Sequence, residues 1–190
     1  LDEAEKMEYK RGVDRFDAIC KAFSKTGIPI YVDAEESWIQ PAIDRLIESR
    51  MRVYNTHKSI VFHTLQMYRR DKIDHLKKLI EESKREGWIL GIKFVRVTYL
   101  EKENKRAQEM GYPTPMQPNK AATDRDFDLG IQLAVENIDH CEICNGTHNP
   151  LSTMKLVDLM NKHNLQHNNP RIYFSQLKVM SDTISFDLAD

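Results

Sequence analysis

No stretch of the sequence is apolar for the roughly 18 residues that a membrane-spanning helix needs, and the charged first ten residues do not read as a signal peptide. The chain begins at Leu1 without an initiator Met, so it is expected to be a piece of a longer protein. Charge of one sign is also missing: 28 Lys and Arg against 29 Asp and Glu give no electrostatic argument for a nucleic-acid partner. Neither G-x-G-x-x-G nor G-x-x-x-x-G-K-[ST] occurs, which argues against a Rossmann or P-loop nucleotide site. Cysteine is scarce and odd in number, at three, which suggests a reducing compartment rather than a disulfide framework. Cys141 and Cys144 form a lone C-x-x-C followed by His148. Zinc would need a fourth ligand, and no second C-x-x-C or H-x-x-x-H accompanies them. In a strand, a spacing of three puts the two thiols on opposite faces, so neither a metal nor a redox role is expected.

What is present is an alternation of two periods. With 30% charged and 41% hydrophobic residues the chain is a soluble globular one, long enough for about one domain. Helical spacing of apolar residues covers 2–25, 36–50, 69–85, 99–110, 125–138 (capped by Thr123 or Asp124) and 151–164, with a last helix around 184–188. Between them lie short apolar runs at 28–33, 59–66, 88–96, a weak one at 142–145, and 171–177. Units of about 30 residues that alternate strand and helix predict a parallel sheet.

Each strand ends in a polar residue: Asp33, Gln66, Arg96, His148 with Asn149, and Gln176. In parallel α/β folds that end of the sheet carries the chemistry. The run from Gly91 to Glu103 is the most telling, because two cations interrupt an apolar strand. Lys93 and Arg96, three apart, point to opposite faces. A helix starting at Pro150 leaves free N–H groups for an anion. Cations beside a helix N-terminus suggest a phosphorylated ligand or cofactor. For a metal only Asp33 and His148 qualify, which is thin.

Five segments, in order, carry a resemblance: Asp33-Ala-Glu-Glu-Ser37, Thr64-Leu-Gln-Met-Tyr-Arg-Arg70, Ile92-Lys-Phe-Val-Arg-Val-Thr-Tyr-Leu-Glu101, Thr147-His-Asn149 and Phe174-Ser-Gln-Leu-Lys-Val-Met-Ser-Asp182. Together with Gly111-Tyr-Pro-Thr-Pro115 and Lys120-Ala-Ala-Thr-Asp124, they resemble the FAD-dependent, monofunctional type of proline dehydrogenase. The resemblance implies a TIM-like (β/α)8 barrel of which residues 1–190 are one partial domain, about strands three to seven, with both ends of the family domain missing. It implies oxidation of L-proline to 1-pyrroline-5-carboxylate by hydride transfer to FAD, the first step of proline catabolism. Quinone is the implied electron acceptor, and peripheral membrane contact and oligomerisation stay open. The implied location is cytoplasmic or at the inner membrane for a bacterial protein, mitochondrial for a eukaryotic one.

Residue by residue, the resemblance places Lys93 near the flavin as the catalytic cation. It places Asp33, Tyr99 and Leu177 around proline. It gives Gln66, Lys93, Arg96, Val97, Thr147, His148, Asn149 and Gln176 to the cofactor, and no metal. Two departures stand out: Val97-Thr98-Tyr99 replaces the family's Gly-Ala-Tyr, and Val179 replaces a Gly. Glycine lets backbone approach a ligand closely. The alternatives are therefore a catalytically dead or truncated barrel relative acting as a binding protein, and an unrelated barrel enzyme of a phosphorylated metabolite.

Overall fold

The first helix, α1 (Glu3–Thr26), is fixed at both ends by its sequence. Asp2 accepts from the Glu5 N–H while Glu5 accepts from the Asp2 N–H, each at 2.8 Å, a reciprocal cap. Gly27, at φ 71°, stops it in the left-handed region, its N–H donating to Phe23 O. A computed structural model describes residues 2–96 and 98–189. After α1 the chain alternates β1 (Ile30–Val32), α2 (Gln40–Tyr54), β2 (Val61–Gln66), α3 (Lys72–Glu86), β3 (Leu90–Val95), α4 (Leu100–Met110), α5 (Lys120–Glu136), β4 (Cys141–Gly146), α6 (Pro150–Lys162), β5 (Ile172–Ser175) and α7 (Asp182–Asp187).

All five strands are parallel and lie in chain order, β1-β2-β3-β4-β5, so the polar residues that end them share one end of the sheet, as expected. The sheet is curled. Phe62 on β2 meets Tyr173 on β5 edge-on at 6.0 Å between ring centres, although three strand spacings in a flat sheet come to about 14 Å. Across the same concave face Glu142 Oε1 on β4 accepts from the Ser59 N–H at 3.0 Å. The architecture is thus α/β with a parallel curled sheet of five strands among the described residues, with β1 and β5 as its edges.

The convex face packs on the helices. Val61, Leu65, Leu90, Ile92, Phe94, Cys141 and Ile143 are buried there with Leu76, Leu79, Ile80, Phe127, Ile131 and Leu156 from α3, α5 and α6. Strand β2 is buried at all six positions, so His63, Thr64 and Gln66 are taken inside together with Val61, Phe62 and Leu65.

Two expectations need correction. The 142–145 run is a six-residue strand paired on both sides, five of whose residues are buried. Its polar letters misled because Glu142 and Asn145 are taken inside the fold. The fifth helix starts at Lys120, capped by Asn119, whose side chain accepts from the Ala122 N–H at 2.9 Å. Thr123 and Asp124 are good capping types, but Asp124 is spent on Arg96 and Lys120.

Candidate functional site

Strand register decides which side chains meet. Partners in a parallel ladder point the same way, so Thr64, Lys93 and Cys144 form one row on the concave face, with Gln66 and Val95 one step above. Lys93 Nζ reaches over β2 and donates to Asp33 Oδ1 at 2.8 Å. Arg96 leaves the strand in the opposite direction, as the spacing predicts. Its guanidinium lies over the Phe127 ring at 3.7 Å and donates to Asp124 Oδ1 (2.9 Å), Thr147 Oγ1 (2.8 Å) and Ser152 Oγ (2.6 Å). Asp124 is held below the usual carboxylate range: burial pushes it up, but its bonds to Lys120 and Arg96 outweigh that.

Two joined hollows open at the strand ends. One, about 300 Å³, is lined by Asp33, Glu35, Thr64, Gln66, Lys93 and Tyr99. The other, about 760 Å³, is lined by Arg96, Thr147, His148, Asn149, Gln176 and Leu177. Lys93 and Val95 belong to both. The structure therefore brings together every predicted site residue it describes; Val97 lies outside the described residues.

Several of these groups are already engaged. Gln66 Nε2 donates to Glu35 O at 3.0 Å, and the Tyr99 hydroxyl donates to Glu35 Oε2 at 2.9 Å. That bond, with burial, pushes the Tyr99 phenol up to about 12, so it is protonated at neutral pH. His148 Nδ1 is 3.1 Å from Ser181 Oγ, and Asn149 caps α6, accepting from the Leu151 N–H at 3.0 Å. Gln176 Oε1 accepts from Ser185 Oγ at 2.9 Å. Its Nε2, like Thr64 Oγ1, is buried with no partner among the described residues. Leu177 is exposed.

The cysteines behave as core residues. Cys141 faces the helices and Cys144 the concave side; both are buried and unpaired. Burial pushes the Cys141 thiol up to about 12 and raises Cys144 as well, so neither is a ready nucleophile.

The sequence reading missed a buried polar group behind β2. Asp44 (α2), His63 (β2) and His75 (α3) place ligand-type atoms within 4.8 Å of one another. Lys72 Nζ stands among them, 3.3 Å from Asp44 Oδ2 and 3.2 Å from His75 Nδ1, and supplies the cation. Asp44 Oδ1 is 3.1 Å from His63 Nε2, close but not aligned as a hydrogen bond. The one signal in the sequence was a histidine in the middle of an apolar strand. Glu35 was also missed, although it lies inside a segment singled out for its neighbour Asp33.

A curled parallel sheet with cations, amides and a hydroxyl at its strand ends defines an α/β protein with a ligand cleft on that face. The proline dehydrogenase family model matches residues 2–190, and the chain belongs to that family. It is 34% identical over 189 residues to human proline dehydrogenase 1, mitochondrial, covering 98% of this chain and 32% of that protein. It is 29% identical over 188 residues to the carbapenem antibiotics biosynthesis protein CarD of Pectobacterium carotovorum subsp. carotovorum, covering 99% of this chain and 48% of that protein. Among solved structures, proline utilization A (PutA) of Bdellovibrio bacteriovorus, inactivated by N-propargylglycine, superposes with a TM-score of 0.89 at 21% identity, covering 97% of this chain and 19% of that one. The chain thus spans about a third of the human protein's length and about half of CarD's.

Proposed function

We propose that the chain is the central part, about strands three to seven, of a (β/α)8 barrel that oxidises L-proline to 1-pyrroline-5-carboxylate with FAD and passes the electrons to a membrane quinone. The observation that carries this reading is the Lys93–Asp33 bond at the join of the two hollows. There a cation and a carboxylate stand side by side at the mouth of a parallel sheet.

The donor set suits a flavin dinucleotide. A flat ring edged with acceptors and one N–H calls for amides and hydroxyls, and the buried, unpartnered Thr64 Oγ1 and Gln176 Nε2 with Gln66 offer them. A pyrophosphate calls for cations and small polar groups, and Arg96, Lys120, Thr147, His148 and Asn149 line the larger hollow. Gly146 leaves its floor bare: a Cβ there would stand 2.9 Å from Phe94 O and 3.6 Å from Lys93 Cε.

When bound, FAD supplies a hydride acceptor. The chain's own residues do the rest. Lys93 keeps a positive charge where negative charge develops. Asp33 is a polar wall for the substrate, and Tyr99 and Leu177 give it apolar surface. The ring carbon beside nitrogen loses a hydride, the nitrogen loses a proton, and a C=N bond forms. No side chain need be a strong base, because proline's amine loses its proton to water first. No helix among the described residues is long and apolar enough to cross a membrane.

The experiment is purification with FAD of a version extended at both ends to a full barrel, followed by a dye-linked proline oxidation assay. A flavin absorption band with proline-dependent dye reduction supports the reading; a protein that holds no flavin in excess FAD refutes it.

A further inference from the structure

Glu35 sits in the connection between β1 and α2 and is held at every polar atom type it has. Its N–H donates to Gln40 Oε1 at 2.6 Å, its carbonyl accepts from Gln66 Nε2 at 3.0 Å, and its carboxylate accepts from the Tyr99 hydroxyl at 2.9 Å. Those partners come from three separate elements: α2, β2 and the β3–α4 connection. The anchor behind it is firm. Gln40 is fully buried, and its own Nε2 donates to Asp44 Oδ1 at 2.6 Å, which ties it to the Lys72 and His63 group behind the sheet. The next two residues are fastened as well. Glu36 pairs with Lys102, and Ser37 donates through its N–H (2.5 Å) and hydroxyl (2.7 Å) to the carboxylate of Glu103, itself buried.

We propose that Glu35 is the positioning residue of the cleft: one residue sets the substrate-side tyrosine through its carboxylate and the cofactor-side glutamine through its main chain. This rests on the function proposed above. A phenol has one O–H to donate, and at Tyr99 it is spent on Glu35. The ring therefore offers a ligand its apolar face and an acceptor oxygen, not a proton. Gln66 has one amide hydrogen committed, which fixes the nitrogen toward Glu35 and leaves Oε1 and the second N–H for the cleft. Preorganisation of this kind acts on ligand affinity, because the side chains need not be ordered when the ligand arrives.

The test uses Glu35→Ala and Glu35→Gln, each with and without Tyr99→Phe. In the first arm, tyrosine ring carbons are followed by NMR as pH is raised. Glu35→Ala should bring one phenol down from about 12 toward the ordinary value of about 10, and that signal should vanish in the Tyr99→Phe background. An unchanged titration overturns the proposal. In the second arm, Glu35→Gln, which keeps an acceptor for the Tyr99 hydroxyl, should leave KM for proline within about threefold of the parent's, whereas Glu35→Ala should raise it about tenfold while kcat changes less than about threefold. A Glu35→Ala KM equal to that of the parent, with stability alone reduced, overturns it. If the parent protein, extended to the full barrel and supplied with FAD, does not oxidise proline, the proposed function fails, and the tyrosine titration alone decides the role of Glu35.

Discussion

Lys93 and Asp33, on the third strand and at the end of the first, are joined at 2.8 Å across the mouth of the sheet. The bond is open to water: the side chains are 24% and 76% exposed. Such pairs contribute at most about 1 kcal/mol. Lys93→Met should therefore change the unfolding free energy by less than about 1 kcal/mol while lowering proline-dependent dye reduction more than about tenfold. Urea unfolding beside the dye assay checks this; a stability loss that accounts for the whole drop in activity would refute it.

Arg96 is different, being only 17% exposed and holding three side chains at once. A lysine cannot reproduce the fork or the stacking on Phe127. Arg96→Lys should cost about 1–3 kcal/mol of stability and loosen flavin retention. Equal urea midpoints and full flavin occupancy would contradict it.

The buried group behind β2 predicts the pH dependence of stability. Desolvation holds His63 below its ordinary 6.5, so the folded ring is neutral while the unfolded one gains a proton as pH falls past 6.5. The unfolded state then binds more protons, and stability drops with falling pH from there down to the folded value. Burial would raise the Asp44 carboxyl, but contacts with His63, Lys72 and Gln40 hold it well below 3.8. Its contribution is present above 3.8 and lost as pH falls through the folded value. The first decline should disappear in His63→Gln, measured by urea unfolding between about pH 5 and 8; identical slopes in parent and variant would argue against it.

Gly146→Ala should be poorly tolerated, because the new methyl meets the Phe94 carbonyl at 2.9 Å, and backbone cannot rotate away. A loss of about 1–3 kcal/mol is expected, with weaker flavin binding as the shifted strands reshape the floor of the cleft. Thermal unfolding at parent level would show that the strands can part without cost.

Val179 takes a left-handed conformation, φ 74°, at a place where the resemblance implies glycine. Strain of about 1–2 kcal/mol for a side chain there exceeds the entropic cost of glycine, about 0.5–1 kcal/mol. Val179→Gly should raise the melting temperature slightly, and a lower one would mean that the valine side chain is needed.

The strand order and the converging polar ends were legible in the sequence because parallel strands buried on both faces appear as largely apolar runs, as at Leu90–Ile92, with a polar residue at the end of each. Side-chain direction at Lys93 and Arg96 followed from spacing alone. What could not be read was who holds whom. Asp124 has a capping residue's chemistry, yet Arg96, 28 positions earlier, claims it. Asp44, His63, Lys72 and His75 come from three elements, and none carries a local pattern that announces the others. Glu35 is one of two adjacent glutamates, and only the folded chain shows that its partners are Gln40, Gln66 and Tyr99.

The consecutive strand order has a consequence for how the chain assembles. Every pairing joins neighbours in the chain, so no strand has to wait for a distant segment before it can be bonded. Each new strand closes a loop little longer than one helix, and loop-closure entropy grows only slowly with length. The exception is the pairing of Leu90 with Cys141, which must span both α4 and α5. Units can dock in the order in which they leave the ribosome, with the β3–β4 closure, the step that brings Lys93 beside Gly146, as the slowest.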